Sequence, residues 1–340
     1  MKRPLLKKMS QTNDNTHAPD FFEQGVRELE NGNIGKAIEA FRKAVAHDPD
    51  DPKVYSNLGI AYELAMEYEK AREAYEKAIK LNPGNLTAVN NLAGLSLLKG
   101  DPAEALSMYS ALIATDPLYI EPYLNIAKFF METRQFAEAE TYLRQVLDIE
   151  PDNVEARNMI GVITSLTERS EEAVGHFQKA LKQNANESSV FSNLGTALRN
   201  TGDLKRAIIA FEKAGELNPD NLTILNNLGV LYRETKEYVK SEHFFKLAIE
   251  KHPENPFPYF NLAELYIAMN DYSEAVENLK KYINLVPLDM DNLYKTCGIA
   301  RMADRLFDVI DEMRSFLTEA EPDDPRTEIV KEWLAMTEKE

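Results

Sequence analysis

Apolar positions along this chain recur at helical spacing and in pairs of stripes. In the segment from Pro52 to Asn85, Tyr55, Leu58, Gly59 and Tyr62 fall at three-to-four spacing and predict one amphipathic helix; Ala71, Tyr75 and Ala78 predict a second. Ala65-Met66-Glu67 forms the turn between them, where other segments carry Gly32-Asn33, Gly100-Asp101 or Gly202-Asp203. Glycine ends one helix there, and Asn or Asp starts the next. Proline then closes the second helix, because its ring cannot continue one.

The same two-helix pattern is written nine times from Ala18 to Asp323 with a fixed 34-residue period and no insertion or deletion. Pro49, Pro83, Pro117, Pro151, Pro219, Pro253 and Pro287 mark the repeat ends, with Ala185 in the place of an eighth. A period of this length signals a repeat architecture in which neighbouring units share a continuous core. In the first eight units the eighth position is small (Gly25, Gly59, Ala93, Ala127, Gly161, Gly195, Gly229, Ala263) and position 20 is alanine except at Ser241. The two helices are expected to touch most closely there, and a larger side chain would force their axes apart at a cost of ~1–3 kcal/mol.

These residues carry a resemblance. Tyr55, Leu58, Gly59, Tyr62, Ala71, Tyr75, Ala78 and Pro83 reproduce the signature of the tetratricopeptide repeat, and the pattern is similar to that family over residues 18–323. The resemblance implies an all-α, right-handed superhelical α-solenoid of stacked antiparallel helix pairs, with the first helix of each pair lining a concave face. The fifth unit departs from the pattern at Arg157 and Ala185, so its junction with the sixth is expected to bend differently. The ninth is degenerate, offering Leu293, Thr296, Cys297, Val309, Met313 and Phe316, with Pro322 one residue late. Residues 324–340 then predict a C-terminal capping helix with Ile329, Val330, Trp333 and Leu334 on its apolar side. Residues 1–17, basic through Lys2, Arg3, Lys7 and Lys8, are expected to form a flexible segment.

Composition narrows the function. With 56 acidic against 39 basic side chains the net charge is −17, which opposes attraction to nucleic acid or anionic lipid. No run approaches the ~20 apolar residues of a membrane span, and Leu5-Leu6 is too short for a secretory signal. A lone cysteine, Cys297, excludes an intrachain disulfide framework. The expected location is cytoplasmic.

Candidate chemistry is scarce. Cys297 occupies the small eighth position, which suits packing better than nucleophilic work. The histidines His17, His47, His176, His243 and His252 share no ligand spacing, so no metal and no cofactor is expected. Gly32-Asn33-Ile34-Gly35-Lys36 lacks the spacing and the Ser/Thr of a phosphate loop and reads as a turn. Repeat structure accounts for nearly every residue, and no catalytic domain remains; the chain reads as a non-enzyme.

One pattern exceeds what packing requires. Position six is asparagine at Asn57, Asn91, Asn125, Asn193, Asn227 and Asn261. It lies off the apolar stripe, and the resemblance puts it on the concave wall, where each amide has both donor and acceptor for a peptide backbone. Tetratricopeptide grooves with asparagine ladders, such as that of O-linked N-acetylglucosamine transferase, hold extended polypeptide in this way; here the transferase domain is missing. The other reading of the row is a solvated polar habit of the family. Arg199 and Arg233 at position twelve are candidate contacts for an acidic group, opposed by the nearby Glu234. Phe257 and Phe260 either anchor a partner or pack against the ninth unit.

A chaperone-tail carboxylate clamp is not expected, because position five holds Phe22, Ser56, Asn90, Leu124, Asn158, Ser192, Asn226 and Phe260, and position six never holds Arg. The leading expectation is therefore an adaptor or scaffold that binds an extended segment of a protein partner. Self-association into a structural scaffold and service as a regulatory subunit of a separate enzyme stay open.

Overall fold

The computed structural model describes residues 21–337 except 185, 287, 288 and 322. The segment 1–17, Ala185, Pro287 and Pro322 therefore lie outside the described residues. Among those described there are helices and no strands, and they fall into two compact units that divide after Pro151.

The first unit contains α1 (Phe21–Glu30), α2 (Ile34–His47), α3 (Pro52–Leu64), α4 (Tyr68–Leu81), α5 (Leu86–Leu98), α6 (Pro102–Thr115), α7 (Glu121–Glu132) and α8 (Phe136–Ile149). The second contains α9 (Val154–Leu166), α10 (Ser170–Gln183), α11 (Ser188–Asn200), α12 (Leu204–Leu217), α13 (Leu222–Glu234), α14 (Tyr238–Lys251), α15 (Pro256–Ala268), α16 (Tyr272–Leu285) and α17 (Met290–Met302). A short 3₁₀ turn (Leu306–Val309), α18 (Ile310–Glu319) and α19 (Arg326–Thr337) complete it. Within each unit the helices pack in sequence order, each on the next, as stacked pairs of an α-solenoid.

Local chemistry sets the helix ends. Asp51, Asn85, Asn153, Asn221 and Asp289 each cap the first helix that follows, accepting a backbone N–H of the opening turn at 2.8–3.2 Å. At the other end a left-handed residue recurs every 34 residues from Gly32 to Asp304, as glycine at Gly32, Gly100 and Gly202 but as Met66, Arg134, Glu168, Lys236, Asn270 and Asp304 elsewhere. The backbone closes around it in the same way each time; Glu67 N–H, for example, donates to Tyr62 C=O at 2.8 Å and Met66 N–H to Glu63 C=O at 3.0 Å.

The close approach expected at position eight is present. A Cβ on Gly25, Gly59, Gly161 or Gly195 would come within 2.5 Å of the ring of Phe41, Tyr75, Phe177 or Phe211 respectively. Alanine replaces glycine at Ala93, Ala127 and Ala263; the residue 16 positions on is the smaller Leu143 or Leu279 in the last two and Tyr109 in the first. Phe41, Tyr75, Phe177, Phe211 and Phe245 are fully buried, and burial of each such side chain is worth about 1.5–3 kcal/mol.

At the end of the second unit, Trp333 of α19 stacks on Tyr294 of α17 with ring centroids 5.5 Å apart. Val330 and Trp333 join a core with Cys297, Met313 and Phe316. Ile329, expected on the same apolar side, is instead 39% exposed, because the helix turns only Val330, Trp333 and Leu334 toward α17 and α18.

Candidate functional site: the first-helix groove

Neighbouring first helices approach one another directly: α1 meets α3, α3 meets α5 and α5 meets α7 in the first unit, and α9 meets α11 and α13 meets α15 in the second. First helices that crowd together lie on the inner side of each unit's curve. Their exposed face is the candidate binding wall of each unit.

All six position-six asparagines sit on these helices and are half-buried, but their amides are not equivalent. Asn125 Nδ2 donates to Asn90 Oδ1 at 3.0 Å, and Asn193 Nδ2 donates to Asn158 Oδ1 at 3.0 Å. Each bond joins one first helix to the next. Packing was expected to make no demand on position six; at these two places it uses the asparagine to stitch consecutive pairs. The position-five partners were missed in the sequence, although their signal is there: an asparagine followed 35 residues later by another, at 90 and 125, 158 and 193, and 226 and 261.

The remaining members are less committed. Asn57 Nδ2 donates within its own turn to Lys53 C=O at 3.0 Å, and its Oδ1 is buried without a partner. Asn91 takes only a long 3.5 Å contact from Asn90. Among the described residues the side-chain amides of Asn227 and Asn261 make no hydrogen bond. Asn193 itself lines an open recess with Ser188, Ser189, Ser192, Asn218, Asn221, Thr223 and the apolar Ile224. Apart from Ile224, its lining offers neutral hydroxyls and amides without a charge.

The candidate specificity residues separate. Arg199 is engaged by Glu234, through Nε at 3.2 Å and through Nη2, so its charge is already neutralised. Arg233 makes no such pair. Phe260 packs on Tyr282 with centroids 5.4 Å apart, and Lys295 lies over its ring at 5.0 Å; it belongs to the core shared with the last helices. Phe257 is 61% exposed and stays available at the groove's edge.

Elsewhere the chemistry stays structural. Cys297 is fully buried, and burial pushes its thiol up to about 12, so it is protonated and shielded at neutral pH. Among the described residues no group of His, Cys, Asp and Glu is arranged to hold a metal ion, and no helix is long and apolar enough to cross a membrane.

No curated protein matches the sequence. Among solved structures, that of YrrB, described as a TPR protein with an unusual peptide-binding site, is 22% identical over 55% of this chain and 96% of its own, with a TM-score of 0.48. MamA is 22% identical over 48% and 95%, with a TM-score of 0.45, and a MamA RS-1 ArsTM double mutant is 18% identical over 50% and 96%, with a TM-score of 0.47. Family models described as tetratricopeptide repeat match residues 22–85, 65–120, 96–163, 188–221, 221–252 and 244–277. Matched over well more than half its length and built of the helix pairs described above, the chain belongs to the tetratricopeptide repeat family.

Proposed function

We propose that the protein is a non-enzymatic adaptor whose first-helix groove holds an extended segment of a protein partner. The observation that supports this reading is the half-buried asparagines on the first helices of each unit, of which Asn227 and Asn261, both in the second, keep uncommitted amides. An amide that faces a groove with its N–H and C=O unspent can pair with a peptide backbone whatever its side chains. At a net ~0.5–1.5 kcal/mol per bond, several such contacts sustain roughly micromolar binding once ordering costs are met. The neutral recess lined by Asn193 suits a main chain for the same reason.

Because Asn125 and Asn193 also bind their neighbouring helices, the informative variant is Asn91→Ala, Asn227→Ala, Asn261→Ala. Partners captured on wild type should be lost on this variant while its melting temperature stays near wild type. Retention of the same partners at the same affinity would move recognition to the outer face or the ends.

A second reading has its own observation. Met302, Phe307, Ile329 and Met336, near the end of the second unit, are 60%, 52%, 39% and 47% exposed. Apolar side chains left open near the end of a repeat stack favour self-association. Sedimentation of wild type and Phe307→Glu separates the two readings: a concentration-dependent oligomer abolished by the substitution supports a scaffold, and a monomer throughout removes it.

A further inference from the structure

Arg233 lies seven residues after Asn226 on α13, two turns along the same face and about 10 Å away. The Nη1 of Arg233 and the Oδ1 of Asn226 are both buried without a hydrogen bond. Among the described residues Arg233 has no ion pair. Several acids on α13, in the turn after it and on the neighbouring helices already have partners. Glu234 pairs with Arg199, Glu237 with Lys240 at 2.7 Å, Glu264 with Lys295, and Glu212 accepts from Tyr232 at 2.6 Å. In a chain of net charge −17, a half-buried guanidinium that finds no carboxylate is unusual, since buried polar groups are nearly always satisfied.

Asn226 is also the exception in its row. Asn90 and Asn158 each accept from the asparagine 35 residues on, whereas the corresponding bond from Asn261 to Asn226 is not made. The wall formed by α13 and α15 thus has an unsatisfied acceptor and an unsatisfied cationic donor on one face, with the uncommitted amides of Asn227 and Asn261 beside them.

We propose that this wall is a carboxylate-specific subsite: Arg233 takes one carboxylate of an extended peptide, and Asn226 with Asn261 takes a main-chain amide about three residues away, since an extended chain advances about 3.3 Å per residue. A carboxylate matches the guanidinium fork with two acceptors and draws the tucked nitrogen into a complete pair. The carboxylate belongs either to an Asp or Glu side chain or to a peptide C-terminus; the chemistry is shared. This inference deepens the groove reading and depends on it.

The test uses the full chain and fluorescein-labelled nonapeptides of a Gly/Ser/Thr/Asn host. Each carries one Glu or one Gln at a varied position, with the C-terminus free or amidated, and binding is read by anisotropy. Glu-bearing or free-terminus peptides should bind about tenfold or more tightly than their Gln or amidated counterparts. Arg233→Gln should remove that preference without changing the affinity for the neutral peptides, and Arg233→Lys should restore part of it. A preference for internal Glu assigns the carboxylate to a side chain, and a preference for the free terminus assigns it to the chain end; either supports the subsite. If peptides bind and lose affinity in Asn227→Ala, Asn261→Ala, yet Glu and Gln bind alike or Arg233→Gln leaves the preference intact, the subsite is overturned and the groove reading stands. If no peptide binds wild type, both fall. Circular dichroism and a thermal melt of Arg233→Gln guard against loss of fold.

Discussion

Asn125 on α7 donates its side-chain N–H to the Oδ1 of Asn90 on α5, 3.0 Å away, and Asn90 is only 8% exposed. The bond ties two consecutive helix pairs together through residues 35 positions apart. Asn125→Ala strips a buried acceptor of this donor and should lower stability by about 1 kcal/mol, whereas Asn91→Ala, one pair earlier at the same position, should leave it within ~0.5 kcal/mol. Urea unfolding of the two variants side by side checks the difference.

Gly195 faces Phe211 so closely that a Cβ would lie 2.5 Å from its ring. Gly195→Ala should cost about 2 kcal/mol by overpacking. Phe211→Leu in the same chain should recover part of that loss, because Ala127 with Leu143 and Ala263 with Leu279 occupy the same two positions in this protein. A double-mutant cycle read by thermal melting gives the coupling, and a purely additive result would refute it.

Glu168 holds a left-handed φ of 62° at the end of α9, where three other pairs have glycine. The conformation is strained for a side-chain-bearing residue, and a carboxylate at a helix C-terminus opposes the helix dipole. Glu168→Gly relieves both effects and should stabilise the chain by about 1 kcal/mol, seen as a rise in the unfolding midpoint.

Glu104 accepts from Ser96 Oγ at 2.6 Å and from Arg72 Nη2 at 2.9 Å, and these bonds, that from Ser96 first, hold its carboxyl below the ordinary value of 4.5. A folded-state value below the unfolded one gives stability that is full above the unfolded value and is lost as the pH falls through the folded one. Stability should therefore fall from about pH 5 downward. Glu104→Gln should be less stable than wild type at neutral pH and should show a shallower acid slope, measured by urea midpoints between about pH 6 and 3.

How far the groove could be read in advance differs from residue to residue. The position-six row was legible as a spacing, and so was its place on the first helices. That Asn125 and Asn193 are partly spent on their neighbours was not legible, because the bond depends on how two helices from different pairs are set against each other. Phe257 and Phe260 look alike in the sequence and, three residues apart, share a side of the helix; one is 61% exposed and the other packs on Tyr282, and only the placing of α16 against α15 decides which of them is covered.

Periodicity alone was enough to establish paired helices, their turns, the glycine or alanine at the point of closest approach and membership of a repeat architecture. These features are written in local spacing, and each unit repeats the same physical problem of covering one apolar stripe with another. Folding alone settled which polar groups are left over. Arg199 is neutralised by Glu234 from 35 residues away, while Arg233, at the equivalent place one pair later, is not. Long side chains on successive helices choose partners by distance and angle across an interface, and a one-dimensional pattern carries neither.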